Sequence, residues 1–291
     1  MTNDMLQLQW LTQAAVLPWI ALLLGLCVGS FLNVVIYRLP KMLEHQWQAH
    51  LATSDEPSTI SHPPFNLVHP RSTCPGCGHL IRAHENIPII SWLVLRARCS
   101  ACGMAISARY PLVELATGPC TAYVAWHFGF SLAALGAAVF CWLSIALAFI
   151  DYDTQLLPDD LTLTLMWCGL LINLGAGLVP LHAAVIGAAA GYLSLWSIFW
   201  GFKWMTGKEG MGYGDFKLLA AIGAWLGWQA LPMVLLLASA AGSIVGGVLI
   251  LYQGHRRDQP IAFGPFLAVA GVISLFWGDA IQRLFIFGVH A

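Results

Sequence analysis

The chain has 291 residues, of which 58% are hydrophobic and only 9% charged. Soluble domains carry about 25% charged residues, so a single water-facing fold is excluded and a bilayer is the solvent that accepts this much apolar surface. The formal net charge of -1 excludes the strongly basic balance of phosphate-neutralising chains, and no nucleic-acid partner is expected.

A membrane-crossing helix needs about 20 mainly apolar residues. Residues 1–13 are polar, contain Asp4 and have no Lys or Arg. They lack the basic region that opens a secretory leader, so the first apolar run is read as a retained span. Eight spans are predicted, at 14–37, 111–128, 131–150, 161–179, 182–203, 216–229, 231–252 and 261–278. The sixth is short and suits a helix buried in protein rather than facing lipid. Gly129, Pro158, Pro180, Gly201 and Pro232 punctuate the junctions. The fold class is therefore an all-α polytopic membrane protein.

The long polar stretch 38–110 reads as a small insert after the first span. Three parts follow: 1–37 with the first helix, the insert 38–110, and a membrane domain over 111–291. Lys and Arg placement orients them. The insert carries seven basic residues, the loop 201–217 has Lys203, Lys208 and Lys217, and the loop 254–258 has Arg256 and Arg257. With eight spans these loops share one side, which the rule makes cytoplasmic, and Arg283 falls on the other. The 13 tryptophans and 14 phenylalanines suit interfacial anchoring.

Of eight cysteines, four stand in two knuckles, Cys74-Pro-Gly-Cys77 and Cys99-Ser-Ala-Cys102, with 21 residues between them. Four thiolates in two such knuckles suit tetrahedral, structural zinc. A cytoplasmic insert keeps its thiols reduced, which disfavours two disulfides. The metal would fold an insert with little core of its own. His79 and His84, near the knuckles, read as surface histidines. Cys27, Cys120, Cys141 and Cys168 stand singly in apolar runs and read as small buried hydrophobes.

Ionisable groups at the edge of a span are costly and need a reason. Asp151 follows the third span directly, and Asp215 enters the sixth through GMGYGDFKLL. The predicted topology puts both on one face. Two adjacent carboxyls can share a proton, one acting as base toward water while the other polarises a carbonyl. Gly210, Gly212 and Gly214 offer dihedrals and close approaches closed to other residues. The bland alternative makes Asp151 and Asp153 solvated interfacial acids and Asp215 a helix N-cap. Asp159 and Asp160 suit the N-terminus of the fourth span, and Lys217 either pairs with a carboxylate or snorkels. From the residues alone three classes stay open: an aspartyl peptidase, a proton-coupled transporter, and a membrane scaffold with a metal module. No inverted repeat is visible, which disfavours the transporter.

Several stretches resemble the type IV prepilin peptidase family, of the GxGD aspartyl protease class. They are GSFLNVVIYRLP (29–40), CPGCGHLI (74–81), ENIPIISWL (85–93), CSACG (99–103), RYPLVELATG (109–118), IDYDTQLLPDDLT (150–162), GMGYGDFKLLAAIGAWLG (210–227) and IAFGPFLA (261–268). The resemblance runs from the first span to the last. It implies cleavage of the basic leader from type IV prepilins and type II secretion pseudopilins at the cytoplasmic face of the bacterial inner membrane. It also implies N-methylation of the new N-terminal residue, usually Phe, with S-adenosylmethionine. By the same resemblance Asp151 and Asp215 are the catalytic pair, and Asp153 and Asp159 match flanking acids. The cysteine-bearing half is associated with methyl transfer. No glycine-rich dinucleotide fingerprint is present, so the donor site is not read from spacing. Glu85, Arg109 and Glu114 are polar residues beside family motifs and are candidates for it, while Arg38 marks the end of the first span.

Overall fold

The structure is a computed structural model that describes residues 16–52, 65–175, 177–208, 210–253 and 261–288. The polar start 1–13, part of the insert (53–64) and the basic loop 254–258 lie outside the described residues. The described chain is helical, with two isolated antiparallel bridges, Thr73 with Leu80 and Arg98 with Ala105. It forms two compact units, 1–130 and 131–291.

In the first unit a long helix, α1 (Leu17–Ala52), continues well beyond the predicted end of the first span, and Pro40 lies inside it. A 3-10 turn (Ala83–Asn86), a short helix α2 (Ile90–Val94) and α3 (Arg109–Phe128) follow. Helices α1 and α3 pack through small residues. A Cβ on Gly25 would lie 2.5 Å from Thr121 Oγ1, one on Gly29 2.8 Å from Glu114 Cα, and one on Gly118 2.7 Å from Leu26. Spacing of four between Gly25 and Gly29 puts both on one face, which lets two helix backbones approach closely in a bilayer.

The second unit holds α4 (Leu132–Thr154), α5 (Asp159–Gly175), α6 (Leu181–Thr206), α7 (Tyr213–Leu226), a 3-10 turn (Trp228–Ala230), α8 (Leu231–Gln253) and α9 (Gly264–Gly288). Ser131 caps α4 by accepting the Ala134 N–H at 3.1 Å. The helix ends where Gln155 turns left-handed (φ 54°) and donates its N–H to the Asp151 carbonyl. Gly201 does not break α6, which runs on to Thr206 because a glycine without strain continues a helix at only about 1 kcal/mol relative to Ala.

Helix α7 is the centre of this unit. Its 14 residues span about 21 Å, short of a hydrocarbon core about 30 Å thick. It is walled in by protein, as expected of the sixth predicted span: Phe216, Leu218, Leu219, Ile222 and Trp225 are fully buried. Gly187 and Gly191 let α6 approach to backbone contact with Gly223 and Leu219 of α7. From α5, Asn173 donates to the Ala224 carbonyl at 2.9 Å, and Trp225 Nε1 donates back to the Leu165 carbonyl at 2.7 Å.

Each of the eight stretches predicted to span falls largely within one of the long helices. Five of them, at 17–49, 132–154, 181–206, 228–249 and 264–283, are long and apolar enough to cross a bilayer. The other three fall on α3, α5 and α7. The last two are too short at 17 and 14 residues, and α3, though 20 residues long, is not apolar enough.

Candidate active site and metal centre

Asp151 sits in the last turn of α4 and Asp215 in the first turn of α7. Both are buried, at 5% and 7% exposure, where a carboxyl needs a stated reason to remain. They are electrostatic neighbours: the Asp151 charge acts on Asp215. Gly264, the first residue of α9, donates its N–H to Asp151 Oδ2 at 2.9 Å. Leu157 packs against Gly214 and Gly264, the glycines beside the two acids. A Cβ on Gly214 would lie 2.7 Å from Leu157 Cβ, and one on Gly264 2.6 Å from Asp151 Oδ2 and 3.2 Å from Leu157 Cδ1. Asp215 Oδ1 is buried with no hydrogen-bond partner among the described residues. Rings of Phe199, Tyr213 and Phe216 stack tilted or edge-on at centroid distances of 5.3 to 5.6 Å and fix the start of α7.

The glycines before Asp215 act through space rather than through dihedrals. Gly212 has an ordinary φ of -80° and Gly214 lies within the first turn of α7. Gly210 is packed against the Phe202 ring and Gly214 against Leu157, whereas the Gly212 Cβ position is open, 3.9 Å from Asp215 Oδ2. Gly212, not Asp215, is the N-cap of α7. Lys217 pairs with Asp159, its Nζ lying 2.6 and 2.8 Å from the two carboxylate oxygens. Asp159 and Asp160 open α5 as expected, and Asp153 and Asp160 are exposed.

In the first unit the two cysteine knuckles repeat one backbone design. Gly78 and Gly103, both left-handed (φ 71° and 72°), return their N–H groups to the Cys74 and Cys99 carbonyls. The Cys74 and Cys99 N–H groups donate to the His79 and Met104 carbonyls. The four Sγ atoms lie within 4.8 Å of one another. Cys74 and Cys102 Sγ are 3.7 Å apart, far beyond a disulfide bond and close to the ~3.8 Å edge of a tetrahedron with zinc–sulfur bonds of about 2.3 Å. The N–H groups of Gly76 and Cys77 lower the Cys74 thiol to about 7, and those of Cys102 and Ala101 lower Cys99. Cys77 is pushed up to about 12: the His79 N–H draws it down, but hydrogen bonds to Cys102, Cys74 and Cys99, with burial, outweigh it. The donor set could hold a metal ion, whose charge would let all four thiols ionise.

Residues 138–247 match the family model for the type IV leader peptidase family, and residues 23–128 match that for the bacterial peptidase A24 N-terminal domain. The chain is 56% identical over 276 residues to the prepilin leader peptidase/N-methyltransferase of Aeromonas hydrophila, covering 93% of this chain and 95% of that protein. It is 53% identical over 269 residues to the protein of the same name from Pseudomonas aeruginosa, with 91% and 92% covered. The chain belongs to the type IV leader peptidase family. No solved structure matches it significantly.

Within the N-terminal domain of this leader peptidase, the polar residues beside the motifs have structural partners. Glu85 braces the two knuckles. Its carboxylate accepts from the Arg82 N–H at 2.8 Å and the Ser100 hydroxyl at 2.5 Å, and pairs with His79 Nε2 at 3.2 Å. The Arg82 N–H, then Ser100 and His79, hold it down at about 2. Glu114, buried in α3, accepts the Ile89 N–H at 2.8 Å. Arg38 does more than mark the end of a span. It is buried and donates to the Asn66 and Pro70 carbonyls at 2.9 and 2.7 Å, fastening residues 66–70 to α1. The described residues of this domain contain no strand–glycine loop–helix cradle, so no residue is assigned to a methyl donor.

Proposed function

We propose that the chain cleaves prepilin leaders with Asp151 and Asp215 as an aspartic dyad and N-methylates the trimmed product. Its relatives' name joins those two activities. The observation that carries the dyad is the meeting of two buried carboxyls from separate helices, α4 and α7. A metal-free, nucleophile-free hydrolysis needs one carboxylate to take a proton from water and one carboxyl to polarise the scissile carbonyl. Substrates are type IV prepilins and type II secretion pseudopilins, whose apolar helix would reach the site from the bilayer.

Cys74, Cys77, Cys99 and Cys102 hold a structural zinc ion that folds the insert 38–110, and residues 111–291 carry the membrane peptidase. A closed set of four thiolates leaves no position for catalytic water. S-adenosylmethionine supplies the methyl group. The protein lies in the bacterial inner membrane with about eight spans, and the Lys and Arg distribution supports a dyad at the cytoplasmic face.

Intact-mass measurement on a prepilin incubated with purified protein, with and without S-adenosylmethionine, tests this. Loss of the leader plus one methyl supports both activities. Asp151→Asn and Asp215→Asn should each leave the leader in place. Cleavage at the wild-type rate by either variant refutes the dyad.

A further inference from the structure

The dyad is not symmetric in its surroundings. Asp151 Oδ2 accepts the Gly264 N–H at 2.9 Å. That N–H is one of the unsatisfied donors at the start of the 25-residue helix α9, where backbone N–H groups and the helix dipole favour negative charge. Asp215 has the Gly212 amide of its own loop acting on its carboxyl, but its Oδ1 is buried without a hydrogen-bond partner among the described residues. The charge that acts on Asp215 is that of Asp151 itself. Two adjacent carboxyls share one proton, and a negative charge costs most on a buried oxygen that no donor satisfies.

We infer that Gly264 is a positioning residue that holds Asp151 as the ionised base of the dyad and leaves Asp215 as the protonated acid. This rests on the dyad reading above. In the hydrolytic step Asp151 takes a proton from water, and the water oxygen bonds to the scissile carbonyl carbon. The carbonyl electron pair moves onto its oxygen, which receives the Asp215 proton. On collapse the C–N bond breaks, the leaving nitrogen takes the proton from Asp151, and Asp215 recovers its own from the gem-diol. Both acids end as they began.

The glycine is required by space as well as by its N–H. A Cβ at 264 would stand 2.6 Å from Asp151 Oδ2 and 3.1 Å from Cγ, so any side chain drives the carboxylate off its donor. The closing of this site by α9 makes the start of the last helix part of the peptidase, although 113 residues separate it from Asp151.

Two measurements test the inference. In Gly264→Ala, kcat for leader removal should fall at least about 100-fold while KM stays within about threefold. Methylation of an already trimmed peptide should stay at wild-type level, as a purely local change requires. Cleavage by Gly264→Ala within threefold of wild type overturns the role of Gly264, and if Asp151→Asn and Asp215→Asn are inactive in the same assay, the dyad itself survives that failure. The second measurement uses the wild-type protein and needs no variant to fold. An epoxide esterifies an ionised carboxylate, and a diazo ketone with copper esterifies a protonated one. Peptide mapping should place the epoxide adduct on Asp151 and the diazo adduct on Asp215, and the reverse placement overturns the assignment.

Discussion

Lys217 Nζ reaches both carboxylate oxygens of Asp159, at 2.6 and 2.8 Å, and so ties the start of α7 to the start of α5 across 58 residues. Lys217 stands two residues after Asp215, and Asp159 follows Asp151 through one short loop. The pair thus closes a ring that runs from one acid to the other. Half-exposed ion pairs contribute only about 0–1 kcal/mol to stability, and Asp159 is 58% exposed. Misplacing a reacting group by about 1 Å can cost about 100-fold in rate. Lys217→Met and Asp159→Asn should each slow leader cleavage about 10- to 100-fold with little change in melting temperature. The double variant should be no slower than the worse single one, because both remove the same tie. Additive losses would mean that the two residues act separately.

Gly169 of α5 lies against the indole of Trp225, so that a Cβ there would meet Trp225 Cδ1 at 2.6 Å and Nε1 at 2.7 Å. The indole is fully buried and its N–H is committed to the Leu165 carbonyl. Gly169→Ala must displace a fully buried ring held by its own hydrogen bond, and overpacking of this kind costs about 1–3 kcal/mol. The variant should melt earlier in detergent, whereas Gly201→Ala, where a Cβ meets nothing within 4 Å, should melt as wild type or slightly later. Equal melting of the two would show that α5 and α7 are not packed this tightly.

How much of this was legible in the sequence follows from the range of each interaction. Helices show through local hydropathy, and the short sixth stretch, α7, already read as buried in protein. The cysteine knuckles show because their ligands are three residues apart and each closes on its own glycine. The acids stand out because a charge beside an apolar run is costly. What the sequence hid lies far apart along the chain. The N–H of Gly264 on Asp151 has no local signature, since the stretch IAFGPFLA matches a family motif without saying what it touches. Arg38 looked like a span marker, but its guanidinium serves carbonyls 28 and 32 residues away. The glycines before Asp215 suggested unusual dihedrals or close approaches, and the sequence could not say that the approaches at Gly210 and Gly214 are to Phe202 and Leu157. Composition also overstated uniformity: of eight apolar stretches, five belong to helices long and apolar enough to cross a bilayer.

Metal content offers a direct check on the knuckles. With four thiolates and no open ligand position, the purified protein should contain about one zinc per chain by elemental analysis. Cys77→Ser should lose most of it. The insert should then become sensitive to proteases at neutral pH, because a small module folds largely on the energy of its metal. Retention of stoichiometric zinc by Cys77→Ser would exclude the cysteine cluster as the site.

Glu85 links the first knuckle, through His79, to the second, through Ser100. Its loss should loosen the frame that presents the thiols, and outer partners of this kind change metal affinity by about 10- to 100-fold. Glu85→Ala should therefore release zinc to a competing chelator about 10- to 100-fold more readily. The sign of the pH dependence follows from the carboxyl being held at about 2 against an ordinary 4.5. A carboxyl lowered on folding contributes fully above its unfolded value and loses that contribution only as pH falls through the folded one. The gap between wild type and Glu85→Ala should therefore stay constant from about pH 6 to about pH 8. A gap that opened or closed across this range would mean that the Glu85 carboxyl is not what sets the pH dependence of the brace.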